Sequence, residues 1–441
     1  MADQHTVVIE SVDYEGKGIA RIDGKTVFVN GAMAGEEVLI EIVKRKPSFD
    51  KAKLVEIITP SPERVSPKCP NYGVCGGCSM QHVSFSEQIR IKQQVLVDNL
   101  KHLGNVSAEQ IIEPLAGVEW GYRHRARLSA RYVAKKGGSL VGFREKGAPY
   151  VVDMTECSIL PPHVSELLSP MRELVSALSI KDKIPQIEVA VGMQVTILVI
   201  RNMESINTQD EQLIKDFCDK YTSLDNPLQV WLQPKGPETC YPFYPLDAPK
   251  LSYEIKKFAL EMPYYPSEFT QVNPYINEEM LGLAMDLLQP QDNEVIADFF
   301  CGIGNFTLPI AKMAKQVIGI EGSDALVKRA KQNAEFNGLA DKVAYQVCNL
   351  FTIDEQWVQK LGNFDKWLID PPRDGAFELV KSITPQSAPQ RIVYVSCNPA
   401  TLARDAGVLV NTHGYRLVKA GIMNMFPHTS HVESIALFER A

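Results

Sequence analysis

The hydrophobic positions of the first 60 residues alternate with polar ones in five short runs, at residues 6–9, 18–21, 26–29, 37–43 and 54–58. Such alternation is typical of half-buried β-strands, and turn dipeptides such as Asp23-Gly24 separate the runs. Their number and spacing predict a small OB-like β barrel over residues 1–60. A basic patch on it is either a solvated face or an RNA-binding surface: Lys44, Arg45, Lys46, Lys51 and Lys53.

The pattern between residues 61 and 265 is mixed. Residues 88–104 repeat apolar side chains at helical spacing, whereas residues 185–240 have the pattern of strands and one helix. We therefore predict a central α+β domain over residues 61–265. The stretch 185–240 contains no chemical motif.

Longer apolar runs mark the C-terminal part of the chain. Strand-like segments at 294–298, 316–321, 345–349, 367–370 and 391–397 alternate with helical segments, for example 324–337. This alternation predicts a doubly wound, Rossmann-like α/β domain over residues 266–441. Ligands of such sheets bind beyond the carboxyl ends of the strands. Cys397 ends one of these strands, so it is either a small buried core residue or a well-placed nucleophile.

Composition narrows the class of protein. The 441-residue chain has a net charge of -7, no run of 18 apolar residues and no charged-then-apolar N-terminal signal. We expect a soluble cytoplasmic protein whose nine cysteines are reduced. Residues 90–147 nevertheless carry 11 Lys and Arg against 5 Asp and Glu. This local excess favours a phosphate-backbone partner over an ordinary solvated face, and we expect that partner to be RNA. We expect neither DNA nor a membrane as a partner.

Three arginines, Arg123, Arg125 and Arg127, lie within this basic region. Side chains alternate along a strand, so the three are expected on one face. Aligned guanidinium groups repel each other unless an anion lies between them. We therefore expect this face to bind the RNA backbone; the alternative is an ordinary solvated face of the sheet.

Three cysteines are crowded into ten residues, in the spacing Cys69-x5-Cys75-x2-Cys78. Clustered thiolates in a reducing compartment are most often metal ligands. Paired C-x2-C knuckles or His pairs, which zinc sites usually have, are missing, so a [4Fe–4S] cluster is the better interpretation and zinc the alternative. Cys157, in a polar turn, is the best fourth ligand, and Cys218, in an amphipathic helix, is the weaker one.

A glycine-rich turn follows the strand at 294–298. Gly302 and Gly304 let backbone approach a nucleotide-like ligand, but residue 307 is Thr where a dinucleotide site has a third Gly. Glu321 ends the next strand, where a carboxylate accepts hydrogen bonds from ribose hydroxyls. Together these features predict an S-adenosylmethionine site.

Two resemblances connect these features. Residues 16–36 look like a TRAM domain, an RNA-binding module, and the whole chain resembles the RNA uracil-5-methyltransferases. The second resemblance rests on the cysteine run with Cys157 and on the motifs at 121–128, 298–309, 370–373, 396–399 and 431–435. It is strongest to members that carry a TRAM domain and an iron–sulfur cluster and act on 23S rRNA, at the site conventionally called uridine 1939.

The resemblance implies roles for single residues. Cys397 is the implied nucleophile and Glu433 the implied base. The implied S-adenosylmethionine site comprises Gln271, Phe300, Asn305, Glu321, Asn349 and Asp370. Because a thiolate must attack, we expect Cys397 to have a depressed pKa or a proton acceptor close by. A lone Glu in an apolar run is more often a surface residue of an edge strand, so His428 and His431 are competing candidates for the base.

Other functions stay open at this point. One is methylation of tRNA or of another 23S rRNA site, although tRNA-modifying relatives are expected to lack the barrel and the cysteine run. The other is a non-catalytic, cluster-bearing RNA-binding protein that keeps the methyltransferase fold. The presence of Cys397, Glu433 and Glu321 argues against the second.

Overall fold

A computed structural model describes residues 3–13 and 15–440, so residues 1, 2, 14 and 441 of the predicted domains lie outside it. Within these ranges, two six-stranded sheets, one two-stranded sheet and one eight-stranded sheet carry the fold. No described helix is long and apolar enough to cross a lipid bilayer.

The N-terminal sheet has the strand order β1-β5-β6-β4-β3-β2. It surrounds a small core in which Val27, Val29 and Ile40 are fully buried. The alternation in the sequence therefore places its apolar side chains inside, and all five predicted strands are present, with one short addition, β2. The strands are β1 Gln4–Val8, β2 Ser11–Val12, β3 Lys17–Ile22, β4 Lys25–Asn30, β5 Glu37–Arg45 and β6 Phe49–Thr59.

In the middle of the chain, helix α1 and the short strand β7 precede a mostly antiparallel sheet of order β13-β12-β11-β10-β8-β9. Its only parallel pair among the described strands, β11 and β12, is connected by the crossover helix α4. The elements are α1 Phe85–His102, β7 Gln110–Ile111, β8 Arg125–Val133, β9 Gly138–Gly142, α2 Pro162–Glu166, α3 Leu168–Ala177, β10 Gln186–Val191, β11 Thr196–Arg201, α4 Thr208–Tyr221, β12 Leu228–Leu232, β13 Tyr241–Tyr244, β14 Ser252–Ile255 and β15 Leu260–Pro263.

The C-terminal sheet has the order β18-β17-β16-β19-β20-β22-β21-β7. Its first five strands are parallel, as the alternation predicts, and the order reverses at β16. The elements are α5 Pro274–Leu288, β16 Val295–Phe299, α6 Thr307–Met313, β17 Gln316–Glu321, α7 Asp324–Phe336, β18 Val343–Val347, α8 Glu355–Leu361, β19 Lys366–Ile369, α9 Phe377–Lys381, β20 Arg391–Ser396, α10 Pro399–Asn411, β21 Tyr415–Met423 and β22 Glu433–Arg440.

Residues 85–111 lie against this C-terminal sheet, although the central sheet follows them in sequence. Strand β7 pairs with β21, and α1 packs its buried Leu96 and Leu100 into the core that contains Leu402 of α10. Gly104 permits the approach, because a Cβ there would lie 2.4 Å from the carbonyl oxygen of Ala403. A segment from the predicted central range thus supports the predicted catalytic domain directly.

Candidate active site and cysteine cluster

A cavity of about 540 Å³ opens at the carboxyl ends of β16, β17, β18, β19 and β20. Its walls come from these five strand ends, from β14 and from the loops that precede α5 and β22. The structure brings all eight residues of the implied catalytic and S-adenosylmethionine sites together in this one cavity: Gln271, Phe300, Asn305, Glu321, Asn349, Asp370, Cys397 and Glu433.

The glycine-rich turn after β16 forms one wall of the cavity. Phe300, Gly302 and Gly304 all have positive φ angles (63°, 56° and 97°), a conformation that favours glycine. The Glu321 carboxylate accepts hydrogen bonds from the backbone N–H of Gly302 (3.1 Å) and of Ser323 (2.9 Å). The acid at the end of β17 is therefore fixed beside the turn, where a ribose would lie.

Asn305 continues this wall and is itself held in place. Its side-chain oxygen accepts hydrogen bonds from the hydroxyl of Tyr253 (2.9 Å) and from the amide of Asn277 (3.2 Å). Tyr253 also lines the cavity, as does the exposed ring of Phe269. The sequence analysis missed both aromatic residues, because neither lies in a recognisable motif.

Cys397 follows the last residue of β20 and is partly buried. The chain turns there because the side chain of Asn398 caps α10 and Pro399 occupies its first position. Burial, with smaller effects from the carboxyls of Glu433 and Asp370, raises the pKa of the Cys397 thiol to about 11. The expectation of a depressed pKa is therefore wrong, whereas the alternative, proton acceptors nearby, agrees with the structure.

The two neighbouring carboxyls differ in exposure: Glu433 is buried, whereas Asp370 is partly exposed. Burial raises the pKa of Asp370 to about 7 and the pKa of Glu433 well above its ordinary value. Glu433 is 4% exposed and opens β22, which lies between β20 and β21 and is not an edge strand. Arg373 lines the same cavity and opposes the rise in the pKa of Glu433. Arg373 belongs to the motif at residues 370–373, but the sequence alone gave no role for its side chain.

The two histidines that compete with Glu433 occupy different places. His431 lines the cavity, 5.5 Å from the Phe426 ring centroid, and burial lowers its pKa. His428 is buried outside the cavity and stacked on Trp120, and burial lowers its pKa to about 4. Of the two, His431 alone faces the cavity.

The four predicted ligand cysteines are close enough to affect one another. Burial raises the pKa of Cys157 to about 12, and the charges of Cys78 and Cys69 add to this rise. Cys78, whose pKa burial raises to about 11, is affected in turn by Cys75 and Cys69. Cys218 lies elsewhere, in α4, with its sulfur 3.6 Å from the carbonyl oxygen of Tyr244.

The four cysteines are free thiols that are not linked by disulfide bonds. Across residues 3–13 and 15–440, no three His, Cys, Asp or Glu side chains converge in a geometry that would hold one ion.

The predicted arginine face is not formed. Strand β8 begins at Arg125, and the Arg125 guanidinium turns inward, donating to the carbonyl oxygens of Glu268 (2.6 Å) and Pro266 (2.5 Å). Arg127 is exposed and pairs with Glu188 (3.1 Å). The expectation that Arg125 contacts a phosphate backbone is therefore wrong, because its donors are used within the protein.

Two family models match the chain. The model described as tRNA (Uracil-5-)-methyltransferase matches residues 250–441, and the TRAM domain model matches residues 4–55. The prediction of a TRAM domain at the N-terminus is thereby confirmed.

Among solved structures, the tRNA (uracil-54, C5)-methyltransferase of Pyrococcus abyssi, in complex with S-adenosyl-L-homocysteine, is similar with a TM-score of 0.75. The identity is 23%, and the match covers 98% of this chain and 100% of the other. The methyltransferase fold is thereby confirmed. A match over 98% of this chain includes the N-terminal barrel. The expectation that tRNA-modifying relatives lack the barrel is therefore wrong for the Pyrococcus abyssi enzyme.

Two curated relatives match along nearly the whole chain. The 23S rRNA (uracil(1939)-C(5))-methyltransferase RlmD of Chromobacterium violaceum is 58% identical over 99% of this chain and 85% of the relative. The protein of the same name from Nitrosospira multiformis is 53% identical over 99% of this chain and 98% of the relative. The chain therefore belongs to the RlmD family of RNA (uracil-C5)-methyltransferases.

Proposed function

We propose that this chain transfers a methyl group from S-adenosylmethionine to C5 of one uridine in 23S rRNA, the position that the names of its relatives give as 1939. The observation that carries the proposal is the meeting of a thiol and two carboxyls, Cys397, Asp370 and Glu433, in the cavity beside the glycine-rich turn. A uridine must leave its stack to enter such a cavity.

Uracil C5 is too weakly nucleophilic to attack a sulfonium methyl group directly. Cys397 loses its proton and adds its sulfur to C6. The π electron pair of the C5–C6 double bond then becomes part of an enolate, in which C5 is nucleophilic. C5 then takes the methyl group, and S-adenosylhomocysteine leaves with the bonding electrons. Glu433 removes the remaining C5 proton, the C5–C6 double bond forms again, and the Cys397 thiolate is expelled.

The pKa values support a division of labour between the carboxyls. Asp370, with a pKa of about 7, accepts the thiol proton at neutral pH. Glu433 has a pKa far above its ordinary value, which makes its carboxylate a strong proton acceptor. A buried acid ionises more readily beside a positive charge, and here Arg373 would supply it.

The rest of the cavity suits the methyl donor. Glu321 would accept hydrogen bonds from its ribose hydroxyls. The ring of Phe300 offers an apolar face to its adenine. We assign the polar groups of Gln271, Asn305 and Asn349 to the same donor.

We further propose that Cys69, Cys75, Cys78 and Cys157 hold a [4Fe–4S] cluster. In such a cluster each thiolate binds a different iron, so the sulfur atoms lie farther apart than around one ion. The four thiols influence one another's pKa, which supports their grouping at one site. Methyl transfer moves no net electrons, so the cluster would be structural and would connect residues 69–78 to the turn at Cys157.

RNA binding is assigned to the barrel and the central domain. In the barrel, Lys44, Arg45 and Lys46 are exposed, and Arg127 is exposed on the central sheet. Single-stranded loop nucleotides are usually held by stacking and backbone contacts, which these surfaces offer.

Trapping the covalent intermediate tests the proposal. Glu433→Gln should add to an rRNA fragment and accept the methyl group but fail to release the product, so a methylated RNA–protein adduct that survives denaturing electrophoresis accumulates. Cys397→Ala should form no adduct. Normal turnover by Glu433→Gln would mean that another group, His431 first, is the base.

A further inference from the structure

The loop between β21 and β22, residues 424–432, leads directly into Glu433. His428 lies at its centre with 3% of its surface exposed and with a φ angle of 63°. A non-glycine residue in this left-handed conformation is strained and persists only where surrounding contacts impose it. Since strain of this kind is concentrated at functional sites, the contacts of His428 are informative.

Helix α1 supplies the first set of contacts, through Gln88. The Gln88 side-chain oxygen accepts the His428 backbone N–H (2.8 Å), and its amide nitrogen lies 3.2 Å from His428 Nδ1. The same amide also donates to the carbonyl of Val83 (2.9 Å). Gln88 is 1% exposed, so all of these bonds lie away from water.

The cysteine loop, which we define as residues 69–84, supplies the second set. The His428 carbonyl accepts hydrogen bonds from the backbone N–H groups of Ser79 (2.9 Å) and Met80 (3.0 Å). The Ser79 hydroxyl oxygen accepts the backbone N–H of Ser430 (3.0 Å). Two of the three residues after Cys78 thus bond to the loop that carries Glu433.

A third segment, residues 119–122, completes the enclosure. The His428 ring stacks on Trp120 at 3.8 Å between centroids and 21° between planes. His428 Nε2 lies 3.1 Å from the carbonyl oxygen of Glu119, and the Tyr122 hydroxyl donates to the carbonyl of Pro427 (2.9 Å). Gln88 donates to Nδ1, so Nε2 carries the proton that goes to Glu119. Every polar atom of His428 therefore has a partner.

We propose that His428 is a positioning residue, an inference that rests on the proposed function. It fixes the β21–β22 loop to the cysteine loop, α1 and Trp120. The loop in turn holds Glu433 where the C5 proton of the covalent intermediate must be removed. His428 itself does not reach the cavity. It acts through the backbone that connects it to Glu433, five residues later in the chain. The backbone of Glu433 itself pairs with Met423 of β21.

This role predicts a specific kinetic signature. Displacement of a reacting group by about 1 Å can cost about 100-fold in rate. A displaced Glu433 would slow only the release step, because addition of Cys397 and methyl transfer precede it. His428→Asn should therefore accumulate the methylated RNA–protein adduct, with RNA affinity unchanged and the release rate reduced by about 100-fold. General destabilisation would instead slow adduct formation and release together.

The test is a single-turnover time course of adduct formation and decay with a labelled rRNA fragment. His428→Asn keeps a residue that tolerates positive φ, and Gln88→Met keeps the His428 ring but removes its bonds to α1. Both should trap adduct, whereas His102→Asn, an exposed control at the end of α1, should behave as wild type. If His428→Asn fails to fold, the adduct time course of Gln88→Met alone tests the positioning role.

Glu433→Gln, run in parallel, separates two kinds of failure. If Glu433→Gln also traps nothing, the proposed function is wrong. If Glu433→Gln traps adduct but the folded His428 and Gln88 variants only bind RNA more weakly, or lose formation and release in parallel, the positioning role is wrong.

Discussion

Lys92 offers a stability prediction whose size follows from the structure. Its side chain is 1% exposed within α1, and its ammonium group donates to the Asn424 side-chain oxygen (2.7 Å) and to the carbonyl of Phe426 (2.9 Å). It forms no ion pair with any described carboxylate. Burial therefore lowers the pKa of Lys92 from 10.5 to about 7.

A shift of this size corresponds to about 5 kcal/mol, at about 1.36 kcal/mol per pKa unit. Between pH 7 and 10.5 the unfolded chain binds a proton at Lys92 that the folded chain has released. Stability must then rise with pH across this window, and below pH 7 the full penalty is present. From pH 7.5 to 9.5, the wild-type protein should gain about 3 kcal/mol relative to Lys92→Met, in which this group cannot titrate.

Urea unfolding of both proteins at the two pH values measures this gain. The lost hydrogen bonds lower the stability of Lys92→Met by an amount that does not depend on pH, so they cancel in the comparison. Lys101→Met, at an exposed position of the same helix, should show no such change. A wild-type to Lys92→Met difference that is equal at pH 7.5 and 9.5 would refute the argument, since it would mean that burial does not neutralise this amine.

Two further predictions concern the cysteines and the arginines. Cys78→Ser should give colourless protein without stoichiometric iron and sulfide after anaerobic purification, with weakened folding; stoichiometric zinc without sulfide in the wild-type protein would exclude the cluster. Arg127→Ala should weaken RNA binding and reduce the slope of log affinity against log salt by about 1. Arg125→Ala should lower stability and leave that slope unchanged, because its guanidinium donates to protein carbonyls. A reduced slope for Arg125→Ala would contradict the inward orientation.

The sequence predicts the catalytic sheet well. Strand β17 and helix α7 occur within one residue of their predicted bounds, because buried parallel strands and amphipathic helices have long, regular apolar patterns. The cavity residues are brought together for the same reason, since the strands end at one edge of the sheet. Glu321 is the last residue of its strand, and Cys397 directly follows the last residue of its strand.

Features that depend on contacts distant in sequence were not predictable in this way. Alternation shows that Arg125 and Arg127 share a strand face, but it does not reveal that Pro266 and Glu268 cover part of that face. The pairing of β7 with β21 and the packing around His428 join segments some 300 residues apart. The pKa of Cys397 depends on burial and neighbouring carboxyls, which no local pattern contains.

Mapping of the modified nucleotide tests the central claim most directly. Purified protein is incubated with unmodified 23S rRNA and S-adenosylmethionine, and the digested RNA is sequenced by tandem mass spectrometry. We predict one added methyl group, carried as 5-methyluridine at the uridine called 1939 in the names of the relatives, and none with Cys397→Ala. Methylation at another uridine, methylation of tRNA in place of rRNA, or undiminished methylation by Cys397→Ala would contradict the account.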